Sequence, residues 1–309
     1  MRVLVSGSSG FVGSHLVRWL VNSGHEVTGL DKAEPRRPLP PGTEGWRDVR
    51  ADILDEPHVA RVMQEVRPEV VFHLAAQVSV SVSMREPKLD IETNVIGTVN
   101  LARHAAEAGA RRFVNTSSGG AMFGQPDVVP TPDGTPTEPL SFYGTSKAAA
   151  ELYLGLIERQ TGLSVASVRP SNIYGPWQDP HGEAGVVAIF ARRMLRDEEV
   201  TVFAPGTDTR DYVYVGDVVD AMARAAMAER GEMCVIGTGV ETSTLELFRA
   251  MARETGYAQE PVMGPQRPGD IPRSALDARK AQAVWGWAPR VALAEGLRLT
   301  VDAFREELA

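Results

Sequence analysis

Apolar and polar positions along the first half of the chain fall into two alternating periods. Short β-branched runs are followed by longer segments whose apolar residues recur at helical spacing. Val3 to Val5 reads as a buried parallel strand, and Phe11, Val12, His15, Leu16, Trp19 and Leu20 mark the helix after it. Further strands are predicted over residues 25–31, 46–51, 70–76, 112–116 and 163–169, and helices over 56–66, 87–108 and 142–161. This alternation predicts an α/β fold of Rossmann type, a doubly wound parallel sheet with ligands at the carboxyl ends of its strands.

The pattern loosens after Arg169, where Pro170, Gly175, Pro176 and Pro180 interrupt it. A helix is expected over 185–196, a short strand over 200–203 and a strand-like run over 211–215. Asp217 is expected to cap a helix running to Glu229, and Val235-Ile236 to return as a last strand of the main sheet. The division that follows is a cofactor domain of residues 1–170 with 211–238, and a smaller α/β substrate lobe of 171–210 and 239–309.

Composition narrows the partners. A net charge of −8, from 32 Lys and Arg against 40 Asp and Glu, counts against nucleic acid as a partner. No apolar run approaches the ~18 residues of a membrane span. The N-terminal run breaks at once at Ser6-Gly7, unlike a signal peptide. The lone cysteine, Cys234, excludes an intrachain disulfide framework and fits a cytoplasmic protein; its apolar neighbours make it a core thiol. Nothing in the reading calls for a metal.

The candidate chemistry lies at the strand ends. Between the first strand and helix stands Gly7-x-x-Gly10-x-x-Gly13, where Gly7 allows a tight turn, Gly10 a close approach to a pyrophosphate and Gly13 close packing of helix on strand. Asp31, about eighteen residues beyond Gly13, stands where a carboxylate accepts hydrogen bonds from an adenine ribose and repels a 2′-phosphate, favouring NAD over NADP. Lys32, Arg36 and Arg37 are cations that would hold such a phosphate instead. Asp52-Ile53 fits either an adenine contact or a helix cap, and His73 is read as a packing residue. Tyr143-Gly-Thr-Ser-Lys147 places a phenol and an ammonium one helical turn apart, an arrangement that favours phenolate and so a base for a hydroxyl proton.

With these residues in view, the chain resembles the extended short-chain dehydrogenase/reductases, and within them the UDP-glucose (UDP-galactose) 4-epimerases. The likeness rests on Gly7/Gly10/Gly13, Asp31, Asp52-Ile53, His73-Leu-Ala-Ala76, Asn94, Tyr143/Lys147, Asn172-Ile-Tyr-Gly-Pro176, Val200-Thr-Val-Phe203, Arg210-Asp-Tyr-Val213 and Arg267-Pro-Gly-Asp270. It implies NAD held by Gly7, Gly10, Phe11, Val12, Asp31, Lys32, Asp52, Ile53, Leu74, Ala75, Ala76, Asn94, Tyr143, Lys147 and Pro170. It also implies a UDP-sugar met by Ser118, Tyr143, Asn172, Val187, Thr201, Phe203, Arg210, Arg267 and Asp270. Asn172, Arg210 and Arg267 would hold the diphosphate, Thr201 and Phe203 the uracil through backbone groups, and Asp270 the ribose. A small Ser274 implies room at the sugar C2. The helices at 87–108 and 142–161 resemble those that pair across a homodimer.

One departure stands out. The family hydroxyl that bonds the sugar O4 falls at Gly119, which has none. Ser118 is expected to replace it, with Ser117 as second choice. Gly120 and Ala121 occupy the places of the acidic residues that dehydratases and decarboxylases use. The implied reaction is therefore reversible inversion at C4 of a UDP-hexose. The alternatives are an epimerase or NAD(P)-dependent reductase for another nucleotide sugar (a UDP-N-acetylhexosamine, UDP-uronic acid or dTDP-hexose), or a non-catalytic NAD-binding module.

Overall fold

Val3 and Val5 point to one side of the first strand and Leu4 to the other, and both sides are dry. That double burial requires a sheet with helices on each face. The structure, a computed structural model, describes residues 1–35, 37–181, 185–203, 205–265 and 271–308. Its strands are β1 (Arg2–Ser6), β2 (Glu26–Asp31), β3 (Trp46–Arg50), β4 (Val70–His73), β5 (Arg112–Thr116), β6 (Thr131–Pro132), β7 (Ser164–Pro170) and β8 (Asn172–Tyr174). There follow β9 (Thr201–Phe203), β10 (Thr209–Arg210), β11 (Tyr212–Tyr214), β12 (Met233–Ile236), β13 (Thr242–Ser243), β14 (Val262–Gly264), β15 (Arg273–Ser274) and β16 (Leu276–Asp277). Seven of them form one sheet in the order β12–β7–β5–β4–β1–β2–β3, parallel throughout.

On one face α1 (Phe11–Asn22) buries Leu16, Val17 and Leu20 against Val3 and Val5. On the other, Leu4 packs with Val59 and Met63 of α2 (Glu56–Val66), with Leu101, Ala102 and Ala105 of the last helix before β5, and with Leu154 and Ile157 of the long helix before β7. Each such side chain taken fully from water contributes roughly 1.5–3 kcal/mol. Of the helices between β4 and β5, α3 (Val80–Arg85) is capped by the Ser79 hydroxyl. Next come α4 (Pro87–Ile91) and, past a single wide π turn at Glu92–Ile96, α5 (Gly97–Glu107). The expected continuous helix over 87–108 is thus interrupted at Asn94, and α3 was not expected at all, because its serines hide the helical period.

Beyond β5 come α6 (Gly119–Met122) and α7 (Phe142–Thr161), then α8 (Val186–Leu195), α9 (Val215–Met227), α10 (Thr244–Thr255), α11 (Arg279–Trp285) and α12 (Leu293–Leu308). A separate core joins α8, α10 and α12 through Phe190, Leu247, Phe248, Leu297 and Phe304. β12 returns beside β7, and α9 packs Val218 and Met222 into the first core. Asp217 does not cap α9. It lies in the helix's first turn, and its buried carboxylate accepts the backbone N–H groups of Arg290 and Val291 at 3.1 and 3.0 Å, tying the C-terminal segment down. The cap of α2 is Asp55, not Asp52.

Candidate active site

Because the seven strands run one way, the turns after β1, β2, β4, β5 and β7 meet along a single edge of the sheet. Gly7 sits there with φ +73°, donating its N–H to Leu30 O at 2.9 Å and accepting from Gly10 N at 3.1 Å. A Cβ on Gly7 would lie 2.5 Å from Ala75 N, and one on Gly13 would lie 2.0 Å from Gly7 O. The turn, α1 and the Leu74-Ala75-Ala76 strand end therefore close on each other with no space for side chains. Gly10, the N-cap of α1, offers no side chain to the helix's first turn, so the N–H groups at Phe11 and Val12 and the positive end of the dipole are open to an anion. That cradle fits a dinucleotide pyrophosphate.

Asp31 ends β2 beside it. Its Oδ2 accepts from Ser9 N at 3.0 Å and its Oδ1 from Ala33 N at 2.9 Å, which aims the carboxylate and leaves lone pairs for a ribose diol. Two of the neighbouring cations are matched by acids: Lys32 stands 3.8 Å from Asp52, and Arg37 pairs with Glu307. Arg36 lies outside the described residues. Asp52 also accepts Leu54 N, and Ile53 is buried with its Cδ1 against Gly97, so this pair forms a polar–apolar corner after β3. His73 is a packing residue: its ring bonds Ser6 Oγ at 2.7 Å and Thr98 Oγ1 at 2.8 Å, and burial lowers its pKa to about 3, so it stays neutral.

Asn94, on the π turn, accepts Gln77 N at 2.9 Å and donates to Gln77 O, Asp90 Oδ1 and Ser146 Oγ at 3.0–3.1 Å. It joins the loop after β4 to α7 and so supports the cofactor shelf. Gln77, Asp90 and Ser146 escaped the sequence reading. Asp90 and Asn94, two polar side chains four apart in a predicted helix, were the available signal.

The Ser141 hydroxyl caps α7 and starts it one residue before Phe142, which places Tyr143 and Lys147 on successive turns facing β5. Lys147 Nζ donates to Thr116 O at 3.0 Å and lies 5.8 Å from the Tyr143 ring centre. Burial pushes the phenol up to about 12, opposed by a hydrogen bond with Ser118, and brings Lys147 down to about 8. The expectation that the lysine leaves a lowered phenol is corrected here: in the protein alone, desolvation outweighs the Ser118 hydrogen bond, and Asp90 adds to the rise.

Ser118 is therefore the hydroxyl at the phenol. Ser117 turns inward, its Oγ donating to Met122 Sδ at 3.3 Å. Gly119 has no space for the family's side chain, since a Cβ there would lie 2.5 Å from Leu276 Cδ1 and 2.8 Å from Arg169 O. Pro170 closes β7 across the same edge.

On the far side of the crevice Asn172, on β8, points its Oδ1 toward Gly120 and lines a shallow pocket with Gln178, Val187 and Tyr212. Thr201 and Phe203 lie on β9, which pairs with β14. Arg210 donates to Thr209 O and Ile271 O at 2.8 and 2.6 Å and stands in register with Ser274. Arg267 and Asp270 lie outside the described residues.

Residues 3–237 match the model of the NAD dependent epimerase/dehydratase family. The chain belongs to that family. It is 46% identical over 312 aligned residues, 99% of each chain, to the UDP-glucose 4-epimerase of Mycolicibacterium smegmatis. Among solved structures it is similar to a Thermotoga maritima UDP-glucose 4-epimerase with UDP-glucose (TM-score 0.96, 44% identity, all of both chains). It is similar also to the Thermus thermophilus UDP-glucose 4-epimerase complex with NAD (TM-score 0.92, 43% identity, 99% of both chains). The family's NAD dependence agrees with the side-chain-free cradle at Gly7, Gly10 and Gly13 and with Asp31 at the end of β2. No helix among the described residues is long and apolar enough to cross a membrane.

Proposed function

We propose that the chain inverts C4 of a UDP-hexose, interconverting UDP-glucose and UDP-galactose. The observation that carries this reading is the cluster of Tyr143, Ser118 and Lys147 at the end of β5, next to a cradle fitted to a dinucleotide. Gly120 and Ala121 beside it offer no carboxyl group for eliminating water or directing decarboxylation. Tyr143 Oη takes the O4 proton and later returns it. Ser118 Oγ bridges phenol and sugar, and the Lys147 ammonium offsets the charge that develops on the phenol. Bound NAD supplies a reversible hydride acceptor for C4 and the positive charge of its ring, so no external oxidant is consumed. Gly7, Gly10, Phe11, Val12, Asp31, Asn94 and Pro170 would hold that cofactor; Asn172, Thr201, Phe203, Arg210, Arg267 and Asp270 would hold the UDP-sugar. Residues 1–170 with 211–238 form the cofactor domain in this reading, and 171–210 with 239–309 the sugar-nucleotide lobe.

The test is incubation with UDP-galactose, without added cofactor, and separation of the products. UDP-glucose with no net gain of NADH is expected; no interconversion, or NADH accumulating in step with sugar consumed, would sink the reading. UDP-N-acetylgalactosamine in the same panel tests whether the small Ser274 admits a C2 acetamido group.

The same reading includes a homodimer. Leu89, Ile91 and Ile96 on the α4–α5 segment are exposed, and so are Leu152, Tyr153 and Leu156 on α7, with Leu152 77% exposed. Apolar stripes on two adjacent helices would be covered by the same stripes of a second copy in a four-helix bundle.

A further inference from the structure

Behind the catalytic pair lies a carboxylate to which the reaction as written gives no role. Asp90, in α4, is 0% exposed. Its Oδ1 accepts from Gln77 Nε2 at 2.8 Å and Asn94 Nδ2 at 3.1 Å, while its equally buried Oδ2 has no hydrogen-bond partner. A buried carboxylate with a bare oxygen is costly unless a positive charge answers it. The elements packed on α4 are α3, the π turn and α7. From α3, Arg85 is turned outward onto Ser81, and from the π turn Glu92 pairs with Lys88 at the surface. From α7 come Tyr143, Lys147 and Glu151, the last held bidentate by Arg169. Of the cations on these elements, Lys147 is the buried one, and its charge interacts with that of Asp90. A second link runs through hydrogen bonds: Asn94 Nδ2 also donates to Ser146 Oγ at 3.1 Å, Ser146 Oγ donates to Tyr143 O at 3.0 Å, and Tyr143 N donates to Ser83 Oγ at 3.1 Å.

We propose that Asp90 is a positioning residue for the Tyr143–Lys147 pair: its carboxylate keeps the buried Lys147 ammonium charged and, through Asn94 and Ser146, fixes the turn of α7 that carries Tyr143. The proposal rests on the epimerase reading for what the pair does, but not for the charge coupling itself. Burial lowers Lys147, and Asp90 and then Glu151 oppose that, while Asp90 makes the phenol harder to ionise. Asp90→Asn keeps an acceptor oxygen for Gln77 and Asn94, removes the charge and puts an amide NH2 where the unpartnered Oδ2 stood. Lys147 is a cation below its pKa, so lowering that pKa removes the cation at a lower pH, and the alkaline limb of kcat moves down.

The experiment compares wild type and D90N over pH 6–9.5 with UDP-galactose. The limb is expected to shift down by about one pH unit, so that kcat is near wild type at the acid end and roughly tenfold lower at the alkaline end. KM should hold. A uniform loss of kcat at every pH, or an unmoved limb, would overturn the proposal. Ionisation of Tyr143, read at saturating NAD as the ultraviolet difference between each protein and its Tyr143→Phe counterpart, should begin at lower pH in D90N. This readout needs no turnover. If wild type does not epimerise, the functional reading fails, while an unshifted phenol in D90N defeats the Asp90 proposal alone.

Discussion

Replacing Ser118 by alanine removes the hydroxyl that bonds the Tyr143 phenol and leaves the fold around it intact, because Ser118 precedes α6 without capping it. The phenol is pushed up to about 12 by burial, and Ser118 is the hydrogen bond that works against this. A hydrogen bond to a group that becomes charged contributes about 1.5–3 kcal/mol, which corresponds to a loss of roughly 10- to 150-fold in kcat. KM should move little, since the bond strengthens as charge develops on the phenol. The structure adds a stricter condition. Restoring a hydroxyl at the family position, in S118A/G119S, should not restore turnover: the new Cβ meets Arg169 O at 2.8 Å and Leu276 Cδ1 at 2.5 Å. The leucine methyl can turn aside; the carbonyl of β7 cannot. Overpacking of this kind costs about 1–3 kcal/mol, visible as a lowered melting temperature. Initial rates with UDP-galactose and a thermal melt on both variants decide the matter. A kcat for S118A within twofold of wild type, or recovery in the double variant, would refute the assignment.

Three further outcomes are expected. Gly13→Ala places a methyl 2.0 Å from Gly7 O and should cost about 1–3 kcal/mol, with less NAD retained through desalting; retention equal to wild type would count against the cradle. Glu151→Ala strips the bidentate partner from Arg169, bound at 2.9 and 2.6 Å with both side chains buried, leaves it only Asp133 at 3.9 Å, and should cost about 3 kcal/mol in a urea unfolding curve. Leu152→Asp should convert a dimer into a monomer of 33.4 kDa by light scattering, and a dimer surviving the change would argue for a different interface.

The sequence alone determined the sheet and its cofactor edge. Buried parallel strands read as continuous apolar runs and their helices as 3.6-residue stripes, so β1, β2, β3, β5, α1, α2 and α7 were legible within a residue or two, while β4 stops at His73, three residues short of Ala76. Gly7, Gly10 and Gly13 declared themselves because a turn without side chains admits little else, and Tyr143 and Lys147 because one helical turn fixes their common face. Tertiary structure decided what depends on neighbours distant in the chain. Ser118 rather than Ser117 meets the phenol because Ser117 is drawn onto Met122, while Leu276 and the Arg169 carbonyl close the space at Gly119. Asp217 looked like a helix cap, yet it binds backbone more than seventy residues away. The phenol's pKa went the other way from expectation, since spacing displays the nearby lysine but not the desolvation that raises the phenol. The spacing of Asp90 from Asn94 was visible, but the bare oxygen that gives Asp90 its role is a property of what packs around it.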